Sequence, residues 1–161
     1  MFAILAFAAL AADPALPALP SAAEDPVKPY VQSNTNAGAI PFAGKGMWHA
    51  FHGKAGVNRI VDDLVDRNVK DPTIGEIFAG IDLVRLRRVL KEQFCYILNG
   101  GCTYTGRPMK TAHTDMGVQM KDMNVLVGNL QKAMTDEHVS FFAQNRLLAK
   151  LAPMRRDVVT R

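Results

Sequence analysis

Cysteine, histidine and aromatic residues are scarce in this sequence of 161 residues, which has 2 cysteines, 4 histidines and 7% aromatic residues. Two cysteines are too few for a scaffold held by several disulfides or for a zinc site of four cysteines. A strong excess of one charge is also missing, since 19 basic and 15 acidic residues give a net charge of +4. This charge is well below that of a typical nucleic-acid-binding domain, so we expect no nucleic-acid partner.

A long apolar segment is missing too. No apolar run reaches the roughly 18 residues that a membrane-spanning helix needs, so we expect no integral membrane span. The overall composition, with 48% hydrophobic and 21% charged residues, is that of a folded protein rather than a disordered one.

The first 45 residues differ from the rest, because they hold six of the 9 prolines. Phe2 to Ala12 form an apolar stretch of the length found in secretory signals, followed by small residues, but no basic residues precede it. The chain is therefore either exported, for example to a periplasm, or cytoplasmic with an unusual leader. We predict an apolar leader at 1–23, a flexible proline-containing linker at 24–46 and a folded domain at 47–161.

Beyond Met47, apolar residues recur at helical spacing in four segments, at about 57–69, 83–97, 120–134 and 141–151. Asp82 is a suitable N-cap for the second segment, and Asn99-Gly100-Gly101 would end it. No segment alternates between apolar and polar residues as a half-buried strand does. The pattern therefore predicts an all-α domain.

One histidine stands out between the second and third segments. A short helix beginning near Pro108 would carry Met109, Ala112, His113 and Met116 on one face, so the imidazole would project into apolar surroundings. Two interpretations stay open, a hydrogen-bonded core histidine and a metal ligand. Zinc is disfavoured because no second histidine or cysteine lies nearby at ligand spacing. A haem iron takes four ligands from the porphyrin, so one imidazole suffices.

Three segments carry a family resemblance: 104–113 (YTGRPMKTAH), 51–56 (FHGKAG) and 147–154 (LLAKLAPM). Residues 104–113 resemble the segment that leads to the proximal histidine of the truncated haemoglobins. Residues 51–56 resemble the first glycine pair of that family, and residues 147–154 resemble the end of its last helix. The resemblance is to group 1, the N-type, of this bacterial globin superfamily. It extends from about Met47 to Val159.

The resemblance implies a two-over-two helical sandwich around haem b, with His113 as the proximal iron ligand. It implies that O2, NO or CO binds at the opposite position of the iron, and it assigns no catalytic residue. The residues implied to contact the haem are Phe78, Leu86, Leu90, Val65, Met109, Lys110, Val118 and Phe94.

The distal positions depart from the family pattern. Relatives often have a tyrosine where Val65 stands and a polar side chain where Leu90 stands, with a gate position at Leu86. We therefore expect a distal wall without a hydrogen-bond donor, which predicts fast O2 release or a preference for CO and NO. Gln93, three residues after Leu90, is the alternative donor if its side chain turns inward.

Two further features have alternative interpretations. The basic residues of the second helix form a solvated face, or one of them, or Lys110, forms a salt bridge with a haem propionate. They are Arg85, Arg87, Arg88 and Lys91. Cys95 and Cys102 are either reduced thiols or, in an exported protein, a disulfide.

The expected function is reversible binding of a diatomic gas at a haem, for oxygen transport, storage or gas handling. The alternatives are a nitric oxide dioxygenase that needs a separate reductase, a haem gas sensor, and a haem-free helical interaction module. We expect a monomer or a weak homodimer.

Overall fold

The computed structural model describes residues 24–159, so the predicted leader at 1–23 lies outside the described residues. Within this range every regular element is a helix, which confirms the all-α prediction. The α-helices are α1 (Gly46–Ala50), α2 (Gly53–Lys70), α3 (Leu83–Ile97), α4 (Met109–Ala112), α5 (Met120–Asp136), α6 (Phe141–Leu151) and α7 (Arg155–Val158). Short 3-10 helices occupy Asn34–Ala37, Gly75–Phe78 and Ala152–Met154.

The helix ends follow from local sequence. The Asp82 side chain accepts a hydrogen bond from the Arg85 N–H at 3.0 Å, which confirms the predicted N-cap of α3. Asn99 has a φ of 62°, the left-handed conformation that ends a helix and that asparagine tolerates. Ser140 caps α6 in the same way as Asp82 caps α3.

Helix α2 is the centre of the packing. It contacts α3 on one side and α5 on the other, and α5 in turn contacts α6. The two pairs, α2 with α3 and α5 with α6, enclose one apolar core. Its fully buried side chains include Phe51, Ile60, Leu98, Met134 and Leu147. Removing side chains of this size from water stabilises the fold by roughly 1.5–3 kcal/mol each.

Residues 24–45, which we call the N-terminal segment, run along the surface of the helices. The Tyr30 hydroxyl donates to the carbonyl oxygen of Thr105 at 2.6 Å, and the Phe42 N–H donates to that of Ile97 at 2.8 Å. Ala37 is fully buried. The composition that favoured a flexible linker does not reveal these contacts, because each joins residues more than 50 positions apart in the chain.

Cys95 and Cys102 form a disulfide, with 5.6 Å between their Cα atoms. The structure therefore shows the disulfide alternative and not the two reduced thiols. The disulfide joins the last turn of α3 to the following loop. A Cβ atom at Gly100 would lie 2.6 Å from both Cys95 Sγ and the Trp48 ring, so only glycine fits this turn.

None of the helices in residues 24–159 is long and apolar enough to cross a membrane.

Candidate functional site

The imidazole of His113 is held at the end of α4 by the backbone of the same helix. Its Nδ1 atom lies 2.8 Å from the carbonyl oxygen of Met109. A carbonyl only accepts hydrogen bonds, so Nδ1 carries a proton and Nε2 is the ring nitrogen that stays free to bind a metal. Within residues 24–159 this is the only hydrogen bond of the ring. The half-buried His113 therefore has the orientation and tautomer of a metal ligand.

The loop before α4 is fixed by Tyr104. The Tyr104 side chain is buried, its N–H donates to Asn34 Oδ1 at 2.8 Å, and its hydroxyl donates to the carbonyl oxygen of Arg107 at 3.3 Å. Burial raises the pKa of the Tyr104 hydroxyl to about 12. A Cβ atom at Gly106 would lie 2.1 Å from the Tyr104 hydroxyl oxygen, so glycine is required where the chain turns towards α4.

Gln93 connects the N-terminal segment to the His113 side of the site. Its buried amide nitrogen donates to the carbonyl oxygen of Ala37 at 2.8 Å and lies 3.5 Å from the sulfur of Met109. The packing here is tight, since a Cβ atom at Gly38 would lie 3.0 Å from the Met154 sulfur. Because its amide is bound to Ala37, Gln93 does not serve as the alternative distal donor.

The role of Gln93 was missed by sequence reasoning. The available signal was a glutamine at the edge of the apolar face of α3, which indicated only a side chain that could turn inward. Its partner is a backbone carbonyl 56 residues away, which no local pattern identifies.

The predicted haem-contact residues are partly brought together. Val65 and Phe94 belong to the buried core, and Leu86, Leu90 and Met109 are half-buried and pack against it. None of these five side chains carries a hydrogen-bond donor. The other three predicted residues lie outside this cluster: Phe78 is half-buried, Val118 is buried and Lys110 is exposed.

The basic residues of α3 are engaged in ion pairs within the protein. Arg88 pairs with Glu24 and Glu92, and this hydrogen bonding raises the pKa of its guanidinium and lowers that of the Glu24 carboxyl. The remaining pairs are Arg85 with Glu24 and Asp82, Arg87 with Asp62 and Asp66, and Lys91 with Asp62.

These four side chains are therefore neither a freely solvated face nor available to another anion without losing a partner. Lys110 differs, because none of the ion pairs formed among residues 24–159 includes it. Of the five basic residues considered as partners of a haem propionate, Lys110 is therefore the one whose charge is not already paired within residues 24–159.

The part of the chain that contains α1 to α7 matches a known protein family. The sequence model of the bacterial-like globin family matches residues 46–160, well over half of the chain. The chain belongs to the bacterial-like globins. Group 1 truncated hemoglobin GlbN of Mycolicibacterium paratuberculosis is 29% identical over 101 residues, which cover 63% of this globin and 74% of that protein. The GlbN of Nostoc commune is 26% identical over 109 residues, covering 68% and 92%. These relatives confirm the resemblance to group 1.

Solved truncated haemoglobins have a fold similar to that of this globin. The Fe(III) form from Tetrahymena pyriformis superposes with a TM-score of 0.68 at 17% identity, covering 71% of this globin and 98% of that chain. The 2/2 hemoglobin from a Synechococcus species, solved in the cyanomet state with covalently attached heme, gives a TM-score of 0.66 at 21% identity, covering 71% and 98%. At these identities the likeness shows the fold alone. It confirms the two-over-two sandwich.

Haem binding and a role towards small gas ligands are properties of the globin family, and the residues of this chain fit a haem. His113 offers the Nε2 atom of an imidazole that is oriented by the Met109 carbonyl. Half-buried apolar side chains of α3 and α4 offer the water-poor surroundings that a porphyrin needs. Lys110 offers an exposed ammonium for a propionate.

Proposed function

We propose that this globin holds haem b through Nε2 of His113 and reversibly binds a diatomic gas (O2, NO or CO) for gas transport or handling. The observation that carries the proposal is the 2.8 Å contact between His113 Nδ1 and the Met109 carbonyl oxygen, because it leaves Nε2 as the free ligand atom. When bound, haem supplies an iron that takes up diatomic gases reversibly.

Each part of the site has a task in this proposal. The Met109 carbonyl keeps the proton on Nδ1 and the ring in one orientation, which increases the donor strength of Nε2. Leu86 and Leu90 exclude water from the gas, which slows oxidation of the iron. Lys110 pairs with a haem carboxylate at the protein surface.

The composition of the distal side supports a ligand preference. The side chains of Val65, Leu86 and Leu90 cannot donate a hydrogen bond, and Gln93 is bound to Ala37. A polarised ligand such as O2 gains from a donor, whereas CO and NO depend on one less. We therefore propose fast O2 release relative to relatives with a polar distal side.

The test is the absorption spectrum of the purified protein supplied with haem. We expect a Soret band of a histidine-ligated globin in the wild type, its loss or shift in His113→Gly, and its recovery when free imidazole is added. His138→Ala, which removes an exposed histidine, is the matched control and should leave the band unchanged. A wild-type protein without a Soret band would refute haem binding. A band unaffected by His113→Gly would remove His113 as the ligand.

A second assay separates gas binding from the dioxygenase alternative. The O2-loaded protein is mixed with NO under a supply of reductant and O2, and nitrate is measured over time. Nitrate formed once per haem, without further turnover, fits a binding protein. Nitrate that accumulates over many turnovers would identify the protein as a nitric oxide dioxygenase, which needs a reductase partner.

We also propose that the protein is exported to an oxidising compartment. The Cys95–Cys102 disulfide supports this, because disulfides persist outside the reducing cytosol, and so does the apolar stretch at residues 2–12. Thiol labelling of the protein in fractionated cells tests the proposal. Unlabelled cysteines in the exported fraction are expected, and freely labelled protein confined to the cytosol would contradict it.

A further inference from the structure

Helix α6 exposes two neighbouring aromatic side chains at its first turn. Phe141 and Phe142 each have 72% of their surface exposed. Large apolar side chains that are this exposed and lie next to one another are typical of a contact surface rather than of a solvated face.

Two cations of α6 lie close to the rings of Phe142 and of Phe42, which belongs to the N-terminal segment. The Arg146 guanidinium carbon is 5.2 Å from the centre of the Phe42 ring and 5.8 Å from that of Phe142. The Lys150 ammonium nitrogen is 4.8 Å from the centre of the Phe42 ring. These contacts join α6 to the N-terminal segment. We call this surface the α6 patch and define it as Phe42, Phe141, Phe142, Arg146 and Lys150.

Acidic residues are absent from the two stretches of chain that form the α6 patch. The sequence has none between Asp25 and Asp62 and none between Glu137 and Asp157. Within residues 24–159, Arg146 and Lys150 take part in no ion pair. The carboxylate that shares a surface groove with Phe141 is Asp136, and it is paired with Arg67. The α6 patch therefore combines exposed apolar surface with two positive charges that have no partner carboxylate among the described residues.

We propose that the α6 patch binds the surface of an anionic lipid bilayer. Aromatic and aliphatic side chains insert at the boundary between headgroups and acyl chains, and lysine and arginine beside them are attracted to anionic headgroups. A bilayer accommodates side chains that stand out from a surface without needing a complementary pocket. The exposed phenylalanines of the patch are suited to insertion, and its two positive charges are suited to anionic headgroups.

A second copy of the chain is a poorer occupant. In a two-fold symmetric dimer the same patch lies on both sides, so Arg146 and Lys150 would face the patch of the second copy, whose residues include no carboxylate to pair with. An acidic protein would match the charges. It would also need a pocket for the two phenylalanines, whereas a fluid bilayer does not.

The test is co-sedimentation of the full-length protein with vesicles of phosphatidylcholine alone or mixed with phosphatidylglycerol. We expect binding to the anionic vesicles. The double variant Phe141→Ser/Phe142→Ser should lower the partition coefficient at least about tenfold. The double variant Arg146→Ala/Lys150→Ala should lower it about tenfold on anionic vesicles and leave it unchanged on neutral ones. All four side chains lie at the surface or its edge, so circular dichroism should show an intact fold.

Matched controls make the result specific to the α6 patch. Val31→Ser removes an apolar side chain that is 83% exposed outside the patch, and Lys54→Ala/Lys121→Ala removes two exposed cations elsewhere. Both should bind like the wild type. Because every protein keeps residues 1–23, binding that is equal in all variants would belong to the apolar leader and would overturn the proposal.

Two other outcomes would also overturn it. Wild-type protein that does not sediment with anionic vesicles has no lipid-binding patch, and an acidic protein would then be the remaining partner. A dimer in sedimentation velocity that Phe141→Ser/Phe142→Ser dissociates, with no effect of this variant on vesicle binding, would assign the patch to a second copy. The spectrum with haem is recorded separately, so neither outcome bears on the proposed gas binding.

Discussion

The side-chain amide of Gln93 donates a hydrogen bond to the carbonyl oxygen of Ala37 at 2.8 Å and so joins helix α3 to the N-terminal segment. Both residues are buried. The same amide lies 3.5 Å from the sulfur of Met109, whose carbonyl oxygen accepts the Nδ1 proton of His113. A continuous series of contacts therefore runs from the N-terminal segment through Gln93 and Met109 to His113.

Replacing Gln93 with leucine should destabilise both the fold and the haem complex. The carbonyl of Ala37 would stay buried without a donor, which costs about 1–3 kcal/mol of the free energy of unfolding. The contact that holds Met109 would be lost as well, so haem should dissociate faster. Thermal unfolding measures the first effect, and the rate of haem transfer to an excess of apomyoglobin measures the second.

Gln144→Leu is the matched control for this variant. Gln144 is also a buried glutamine that donates to a backbone carbonyl, that of Val139 at 2.9 Å, but it belongs to α6. We expect a comparable loss of stability with little change in haem transfer. If the two variants released haem at the same rate, the link from Gln93 through Met109 to His113 would be disproved.

A donor placed at Leu90 should slow the release of O2. Leu90→Gln keeps the size of this half-buried side chain and adds an amide that can donate to a bound ligand. A hydrogen bond of this kind contributes about 1.5–3 kcal/mol, which corresponds to a roughly tenfold to hundredfold slower dissociation. Stopped-flow displacement of O2 by CO measures the rate. Leu90→Met, which adds no donor, should behave like the wild type, and an equal rate for Leu90→Gln would place Leu90 away from the ligand.

The parts of the fold that depend on local pattern were predictable from sequence. The apolar spacing of α2, α3, α5 and α6 is set by which face each helix buries, and the Asp82 cap depends on residues within three positions. For His113 the local pattern left a core histidine and a metal ligand as alternatives, and only the family resemblance of residues 104–113 favoured the iron ligand, which stays a prediction.

The parts that depend on distant contacts were not predictable. The N-terminal segment is held by hydrogen bonds such as that of Tyr30 to Thr105, whereas its prolines and polar residues had favoured a flexible linker. The arginines of α3 were interpreted as a solvated face or a haem contact because several of their partners, such as Asp62 and Glu24, lie on other elements. Whether Cys95 and Cys102 pair depended on the shape of the turn between them.

Removing the Cys95–Cys102 disulfide should lower the thermal stability. A bond between residues seven positions apart closes a short loop, and its loss releases about 2.5 kcal/mol of chain entropy in the unfolded state. For a protein of this size the melting temperature should fall by about 5–10 °C. Cys95→Ala/Cys102→Ser is compared with the wild type by circular dichroism. A reductant should lower the melting temperature of the wild type and not that of the variant, and an equal response of both would contradict this role.

The ion pairs of Glu137 predict a specific loss of stability in acid. The Arg59 Nε atom donates to Glu137 Oε2 at 2.8 Å, and His52 Nδ1 lies 3.1 Å from Oε1. Arg59 first, and His52 second, lower the pKa of the Glu137 carboxyl from its ordinary value near 4.5 to about 2. The stabilisation is therefore complete above pH 4.5 and is lost as the pH falls from 4.5 to about 2.

Glu137→Gln isolates this contribution. The variant should melt at a lower temperature than the wild type above pH 4.5, and the difference should shrink towards zero as the pH approaches 2. Melting curves by circular dichroism across this range measure it. Glu76→Gln, at an exposed glutamate that takes part in no ion pair among residues 24–159, should follow the wild type at every pH. A difference between wild type and Glu137→Gln that stays constant over the range would show that the carboxylate charge does not stabilise the fold, because a neutral packing effect would not depend on protonation.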